Sequence, residues 1–344
     1  MSSRYPINLT NLMLALGAVI FVLYLYFVGF WQILDVIASL DWRLATAAVL
    51  IDLVCIGLFA LSWQFLLEKP GLDFKNCVKI VLVSIFGDLM IPTASISGEL
   101  LRINLTMKKT NLNAGQVTAS VLLHRLLLGI TFGGVLGFSL ILLIATQSMQ
   151  ISALYLFVAI GGVDIGLGVL GVYAIYNVKR FKGILRGFVF RTAGFVRIFR
   201  RSYEPEKMYG RVEAGFDSFH SAIIGISRVR LMVSSTILTL RWFIIALIPY
   251  LMFYSLNYEV SYWLVLTVSI FVSMIQMMPI GIPGLMGVME VSMTAFFLSF
   301  GIPANIAASA TILTRLVLFW FELILSALAA SYQGVSSLVR DGKR

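Results

Sequence analysis

Six stretches of this sequence stay apolar for long enough to cross a lipid bilayer, and that feature removes most folds from consideration. They run at about Asn11 to Phe30, Trp42 to Leu67, Gln116 to Thr146, Ile151 to Tyr176, Leu231 to Tyr254 and Asn305 to Ser331. Each approaches or exceeds the roughly 20 residues a helix needs to traverse about 30 Å of hydrocarbon. Lipid offers no hydrogen-bond partners to the backbone, so such segments must satisfy their own amides and are expected to be helices. The chain has 344 residues, 60% apolar and 12% charged, against about 45–50% and about 25% in soluble domains. A water-soluble enzyme and a disordered chain are both excluded. Residues 1–344 are expected to form a single integral membrane domain, an all-α polytopic helical bundle.

Two further apolar regions, 76–110 and 262–302, are interrupted. The first carries Pro92-Thr93-Ala94-Ser95-Ile96-Ser97-Gly98; the second carries Pro279-Ile280-Gly281-Ile282-Pro283-Gly284, followed by Gly287. Proline removes a backbone donor and clashes with the preceding turn, so neither region reads as one continuous helix. Broken backbone at membrane depth survives only where protein or a water-filled cavity covers it. The expectation is two helical hairpins that enter the membrane and turn back, with Pro92, Gly98, Pro279, Pro283, Gly284 and Gly287 shaping their turns.

The broken regions look like copies of one unit. Pro92 lies seven residues before Glu99, and Pro283 seven before Glu290. From each acid it is 26 or 25 residues to an arginine set in a matching octet, Ala119 to Leu126 around Arg125 and Ser309 to Leu316 around Arg315. The repeat units are expected at approximately 76–146 and 262–332.

Charge sets the topology. Of the 26 Lys and Arg residues, 12 fall between Lys179 and Arg230, with only four acids among them. The loop 177–230 therefore reads as cytoplasmic, beside anionic headgroups; after Pro205 it carries an amphipathic pattern through Met208, Val212, Phe216, Phe219, Ile223 and Ile226. Walking outward from it puts Lys69, Lys75, Lys79, Lys108 and Lys109 inside, along with both termini, and the turns near Ser148, Glu259 and Pro303 outside. This holds only if each broken region returns to the side it came from. Three spans then separate the hairpins, which makes them oppositely oriented, an arrangement in which transport sites lie near the midplane at the repeat interface. The competing reading of the second region is an ordinary pair of crossings with a kinked first member.

Ionisable groups inside apolar spans are functional candidates by default. They are Asp52, Asp88, Glu99, Arg102, Arg125, Asp164, Arg241, Glu290, Arg315 and Glu322. An arginine at a span's centre costs about 2.5–3.5 kcal/mol on insertion scales, so each needs a carboxylate or a ligand phosphate. Glu99 with Arg125 and Glu290 with Arg315 are the evident couples. Each can be a structural ion pair locking hairpin to helix, and each can hold a guanidinium ready for phosphate oxygens. Arg102, three residues after Glu99 on the same helix face, either reaches the interface or meets a ligand. Arg241, ten residues into its span, reads as a cavity residue, and His124 as a packing residue. Asp52, Asp88, Asp164 and Glu322 are proton sites, cation sites or partners for arginines; spacing does not choose.

Absences narrow the function. There is no phosphate-binding G-x-x-x-x-G-K-[ST] loop, no nucleophile elbow and no H-E-x-x-H motif, so nucleotide hydrolysis by that route and the common hydrolase chemistries are not expected. Cys55 and Cys77 form no disulfide framework, and with His124 and His220 they suggest no metal site. No cofactor and no nucleic-acid partner is expected.

At the two motif regions the sequence resembles a known family. Pro92 through Arg102, PTASISGELLR, is similar to the P-x-x-x-x-G-E-x-x-R signature of the lysylphosphatidylglycerol synthase membrane region and its flippase-like relatives. Met278 through Glu290, MPIGIPGLMGVME, followed by Gly301, Ala307 and Arg315, resembles that family's second signature, with Met286 where a glycine is usual. The resemblance implies an integral membrane domain that handles anionic or phosphate-bearing lipids. With the chain ending at Arg344 soon after its last span, it implies a stand-alone lipid translocase and not a lysyl transferase. On this reading Glu99, Arg102, Arg125, Arg241, Glu290 and Arg315 are the substrate-binding candidates. Membrane lipids are the expected partners, with a homodimer or a partner synthase or transferase also open. Two other classes remain: a secondary transporter of a small anionic solute or ion, and a non-transporting accessory subunit of a lipid or glycan assembly enzyme.

Overall fold

The computed structural model describes residues 40–67, 71–91, 96–146, 177–199, 204–276 and 281–341, with isolated positions between 19 and 35 and between 162 and 173. Among the described residues every regular element is helical. The expected spans Asn11 to Phe30 and Ile151 to Tyr176, the turn residues Pro92 and Pro279, and the chain ends lie outside the described residues, as does most of the turn near Ser148.

In chain order the elements are α1 (Trp42–Gln64), α2 (Phe74–Met90), α3 (Ile96–Lys109), α4 (Ala114–Thr146), α5 (Val178–Phe199), α6 (Pro205–Ile224), α7 (Arg228–Ile245), α8 (Leu247–Ser255), α9 (Tyr262–Gln276), α10 (Val288–Ser299), α11 (Ala304–Arg315) and α12 (Glu322–Asp341). A short 3-10 turn, Pro283–Leu285, precedes α10, and a π-helical turn, Leu316–Phe321, joins α11 to α12. Among the described residues four apolar helices are long enough to cross a membrane: Trp42–Gln64, Ala114–Ala145, Arg228–Ser255, which joins α7 to α8, and Ala304–Tyr332. These coincide with four of the expected spans.

The interrupted regions fold as helix pairs. Helices α2 and α3 have 17 and 14 residues, and α9 and α10 have 15 and 12, each short of the roughly 20 a crossing requires. Contacts within the bundle show where they open. Arg230, at the start of α7, donates from Nε to Phe65 O at 2.7 Å and from Nη2 to Leu67 O, just beyond α1. Lys109 Nζ, at the end of α3, donates to Asn76 Oδ1 at the start of α2, and Lys79 stands 5.4 Å from the Tyr332 ring of α12. The base of the first pair therefore shares one end of the bundle with Arg230 and the end of the last helix. The 28 residues from Arg228 to Ser255 rise about 42 Å, and the second pair begins directly after them. Its base is at the far end, where the Phe253 ring meets the Phe297 ring edge-on at 4.8 Å. The two pairs open at opposite ends of the bundle.

A buried cluster of Ile248, Met252, Phe253, Val265, Val268, Met293, Phe297 and Leu313 holds the second pair against α8 and α11. A second, around Ile56, Trp63, Ile80, Val81 and Val121, holds the first pair against α1 and α4. On the basic loop, α5 and α6 lie side by side, with Lys182 Nζ 2.6 Å from Asp217 Oδ1 and 3.4 Å from Glu213 Oε1. That hydrogen bond to Asp217 raises the Lys182 ammonium above its ordinary value.

Candidate functional site

Each hairpin turn is held by an acid. In the first, Asp88 near the end of α2 accepts the Gly98 N–H at 2.8 Å through Oδ1, and Ser97 Oγ donates to Gly87 O at 3.0 Å. A Cβ on Gly98 would overlap the Ser84 carbonyl oxygen and the Asp88 carboxylate, so only glycine lets α3 approach α2 this closely. In the second, Glu290 Oε2 accepts the Gly287 N–H at 2.7 Å, one turn back along α10. Here the chain passes through left-handed backbone at Gly281, Gly284, Leu285 and Gly287, and the Gly284 α-carbon lies against the Phe319 ring with no room for a Cβ.

The two Glu–Arg couples form. Arg125 Nη1 donates to Glu99 Oε1 at 2.7 Å, and Arg315 Nε donates to Glu290 Oε1 at 2.7 Å. Their surroundings differ. The Arg125 and Glu99 side chains keep 36% and 12% of their exposure, whereas Arg315 and Glu290 keep 6% and 2%. Arg315 also donates from Nη2 to the Gly284 carbonyl at 3.0 Å and has its guanidinium 4.3 Å from the centre of the Phe319 ring. One arginine thus ties α11 to both the turn and the first coil of α10.

The sequence left Arg102 between the interface and a ligand, and the structure buries it against α1 and α4. It is buried, its guanidinium 5.2 Å from both the Phe59 and the Trp63 rings, with Nη1 3.2 Å from His124 Nδ1. The reason is aromatic: α1 offers two ring faces one turn apart, and a weakly hydrated guanidinium stacks between them. Arginine has only donors to give, so His124 accepts at Nδ1 and carries its proton on Nε2, which faces Ser62 Oγ at 2.8 Å. Ser62 in turn donates to Phe59 O at 2.9 Å. The tautomer follows from this network.

A cavity of about 270 Å³ opens where the end of α2 meets the turn of the second pair. Asp88 and Leu89 of α2 face Gly281, Gly284 and Leu285 of the second turn across it, and Arg241, Arg315 and Glu322 line its wall. Of the six expected binding residues, this cavity brings Arg241 and Arg315 together; Glu99, Arg102, Arg125 and Glu290 are not in its lining. The Arg241 guanidinium stands 5.3 and 5.7 Å from the Phe59 and Trp242 rings and donates from Nε to Cys55 O at 3.2 Å. Sequence reasoning missed Ser269, Ser273 and Gln276 of α9 and Thr314 of α11, which supply uncharged polar groups to the same wall. A signal existed: 269, 273 and 276 recur at helical spacing on an otherwise apolar helix. Most of the rest of the lining is aliphatic or aromatic.

The class defined by this fold and site is an all-α polytopic membrane protein with two broken hairpins meeting at a cavity lined by two arginines. Residues 12–326 match the family described as the lysylphosphatidylglycerol synthase TM region, and the chain belongs to that family. It is 24% identical over 328 residues to a UPF0104 membrane protein of Pyrococcus horikoshii, covering 92% of this chain and 95% of the relative. It is 27% identical over 326 residues to a UPF0104 membrane protein of Methanothermobacter thermautotrophicus, covering 92% of this chain and 91% of the relative.

Proposed function

We propose that this protein carries a lipid with an anionic, phosphate-bearing headgroup across the membrane. The observation that carries the reading is the placement of Arg241 and Arg315 on one cavity at the meeting point of two hairpins that enter from opposite ends. Phosphate oxygens suit guanidinium donors, and Thr314, Ser269 and Gln276 offer neutral donors beside them. The apolar remainder of the wall suits the first carbons of an acyl or polyprenyl chain. Since each hairpin reaches the cavity from its own side, motion of one against the other exposes the headgroup first to one leaflet and then to the other. The couples Glu99–Arg125 and Glu290–Arg315 fasten each hairpin to the helix after it, so that hairpin and helix move as a unit. By the positive-inside rule, the end carrying Lys79, Lys109 and Arg230 faces the cytoplasm, and the loop 177–230 lies on it. The family's own description points to lipid chemistry, in agreement with this reading.

The test is a proteoliposome assay with tail-labelled fluorescent phosphatidylglycerol or a labelled polyprenyl phosphate and a membrane-impermeant quencher. Wild-type protein is expected to equilibrate at least one of these between leaflets faster than protein-free vesicles do, and Arg241→Gln to slow it at least tenfold. Rates equal to those of empty vesicles for both lipids overturn the proposal. An equal rate for labelled phosphatidylcholine overturns the role given to the arginines.

A further inference from the structure

Behind the cavity wall, two acids meet that the lipid pathway does not use. Asp52, in the middle of α1, has 0% of its surface exposed, and neither carboxylate oxygen finds a hydrogen-bond donor. What lies against it is the carboxyl group of Glu322, in the first turn of α12. Glu322 itself lines the cavity. Ionised carboxylates only accept hydrogen bonds, so a bond between these two requires a proton.

The charges facing the pair make the same demand. From α7 comes Arg241, and from α11 comes Arg315. Arg315 is already neutralised by Glu290 at 2.7 Å, which among the described residues leaves Arg241 as the unneutralised positive charge set against the two acids. Helix α1 adds only the Cys55 thiol, one turn along. From α4, His124 is committed to Ser62 and Arg102. On α2, Lys79 turns to Tyr332, and Asp88, across the cavity, is engaged by Gly98 and Ser97. Helix α8 brings no charged side chain. In a low-dielectric interior this set closes to neutrality when one of the two acids carries a proton.

We infer that Asp52 and Glu322 form a proton-binding pair, reached from the cavity through Glu322, whose occupancy is linked to the charge on Arg241. When the cavity is empty, one proton is shared between the two carboxyl groups. When a phosphate anion binds Arg241, the local charge becomes negative by one, and a second proton from cavity water joins the pair, forming an O–H bond on the remaining carboxylate. Anion and proton then enter together with no net charge buried. The link to the anion rests on the lipid-translocase reading; the shared proton rests on the geometry of Asp52 and Glu322 alone.

Infrared spectroscopy of the full-length protein in lipid nanodiscs tests the pair directly. At neutral pH, wild type is expected to show a protonated-carboxyl stretching band that vanishes only on strong alkalinisation and is altered in both Asp52→Asn and Glu322→Gln. Absence of this band in wild type, a reading that no variant can spoil by misfolding, overturns the proposal, as does a band indifferent to both substitutions. The anion link is read in weakly buffered solution by adding dihexanoyl phosphatidylglycerol. Uptake of about one proton per ligand bound, lost in Glu322→Gln, supports it, and binding without uptake overturns it. A wild-type band in a protein that moves no lipid would sink the translocase reading and leave the proton pair standing.

Discussion

Arg315 donates to Glu290 at 2.7 Å with only 6% and 2% of the two side chains exposed, a sealed ion pair at the turn of the second hairpin. Removing one partner of such a pair strands a buried charge, at a cost of about 3–5 kcal/mol. Glu290 also accepts the Gly287 N–H, so its loss releases the turn as well. Glu290→Ala is therefore expected to lower thermal stability in detergent sharply or to prevent recovery of folded protein. Glu99→Ala breaks a bond of equal length, but Arg125 keeps 36% exposure, and water substitutes for the lost acid. Its cost is expected near 1 kcal/mol or less. Unfolding midpoints of the two variants check this, and equal losses would contradict the asymmetry.

Arg102 gives a second test. Stacked between Phe59 and Trp63 and donating to His124, it depends on a flat, delocalised charge. Lysine keeps the charge and loses the plane, so Arg102→Lys is expected to destabilise by about 1–2 kcal/mol. A variant as stable as wild type in thermal or denaturant unfolding would show that the stacking contributes little.

Much of this architecture was legible in the sequence because the membrane forces it there. Four apolar runs became four spans within a few residues, since length against bilayer thickness decides the matter. Proline, acid and arginine at matched spacing identified both couples, because an isolated guanidinium in a span has few ways to be satisfied. The cavity's composition was not legible. Arg125 and Arg315 follow their acids at nearly the same spacing, yet of these two Arg315 lines the cavity and Arg125 does not, while Arg241, which belongs to neither motif, lines it too. Matched spacing fixes the local ion pair; which face of it meets the central space depends on how α1, α7 and α12 pack around each pair. The partner of Asp52 was equally hidden, since Glu322 lies 270 residues away in the chain and no periodicity links the two.

The opposed hairpins make a prediction about access. Lys109 closes the base of the first pair, beside Asn76, and Glu259 precedes the second pair at the far end. Cys55 and Cys77 are both buried, so replacing them with alanine gives a background of low labelling. In that background Lys109→Cys is expected to react with an impermeant maleimide only from the cytoplasmic side of membrane vesicles, and Glu259→Cys only from the other. Labelling of both from one side would place the hairpins in parallel and remove the basis for alternating access.

The turn of the second hairpin is tuned by one contact. Gly284 adopts φ +58°, which costs an L-residue about 1–2 kcal/mol, and a Cβ there would run into the Phe319 ring. That ring cannot retreat freely, because its face carries the Arg315 guanidinium at 4.3 Å. Gly284→Ala is therefore expected to lose about 2–4 kcal/mol, backbone strain and steric overlap together. Adding Phe319→Leu removes the obstruction while leaving the backbone strained, so the double variant should regain part of the loss. Unfolding of the single and double variants measures the coupling. A double variant no more stable than Gly284→Ala alone would mean that the ring can move aside, and that Phe319 is kept at this place for its hold on Arg315.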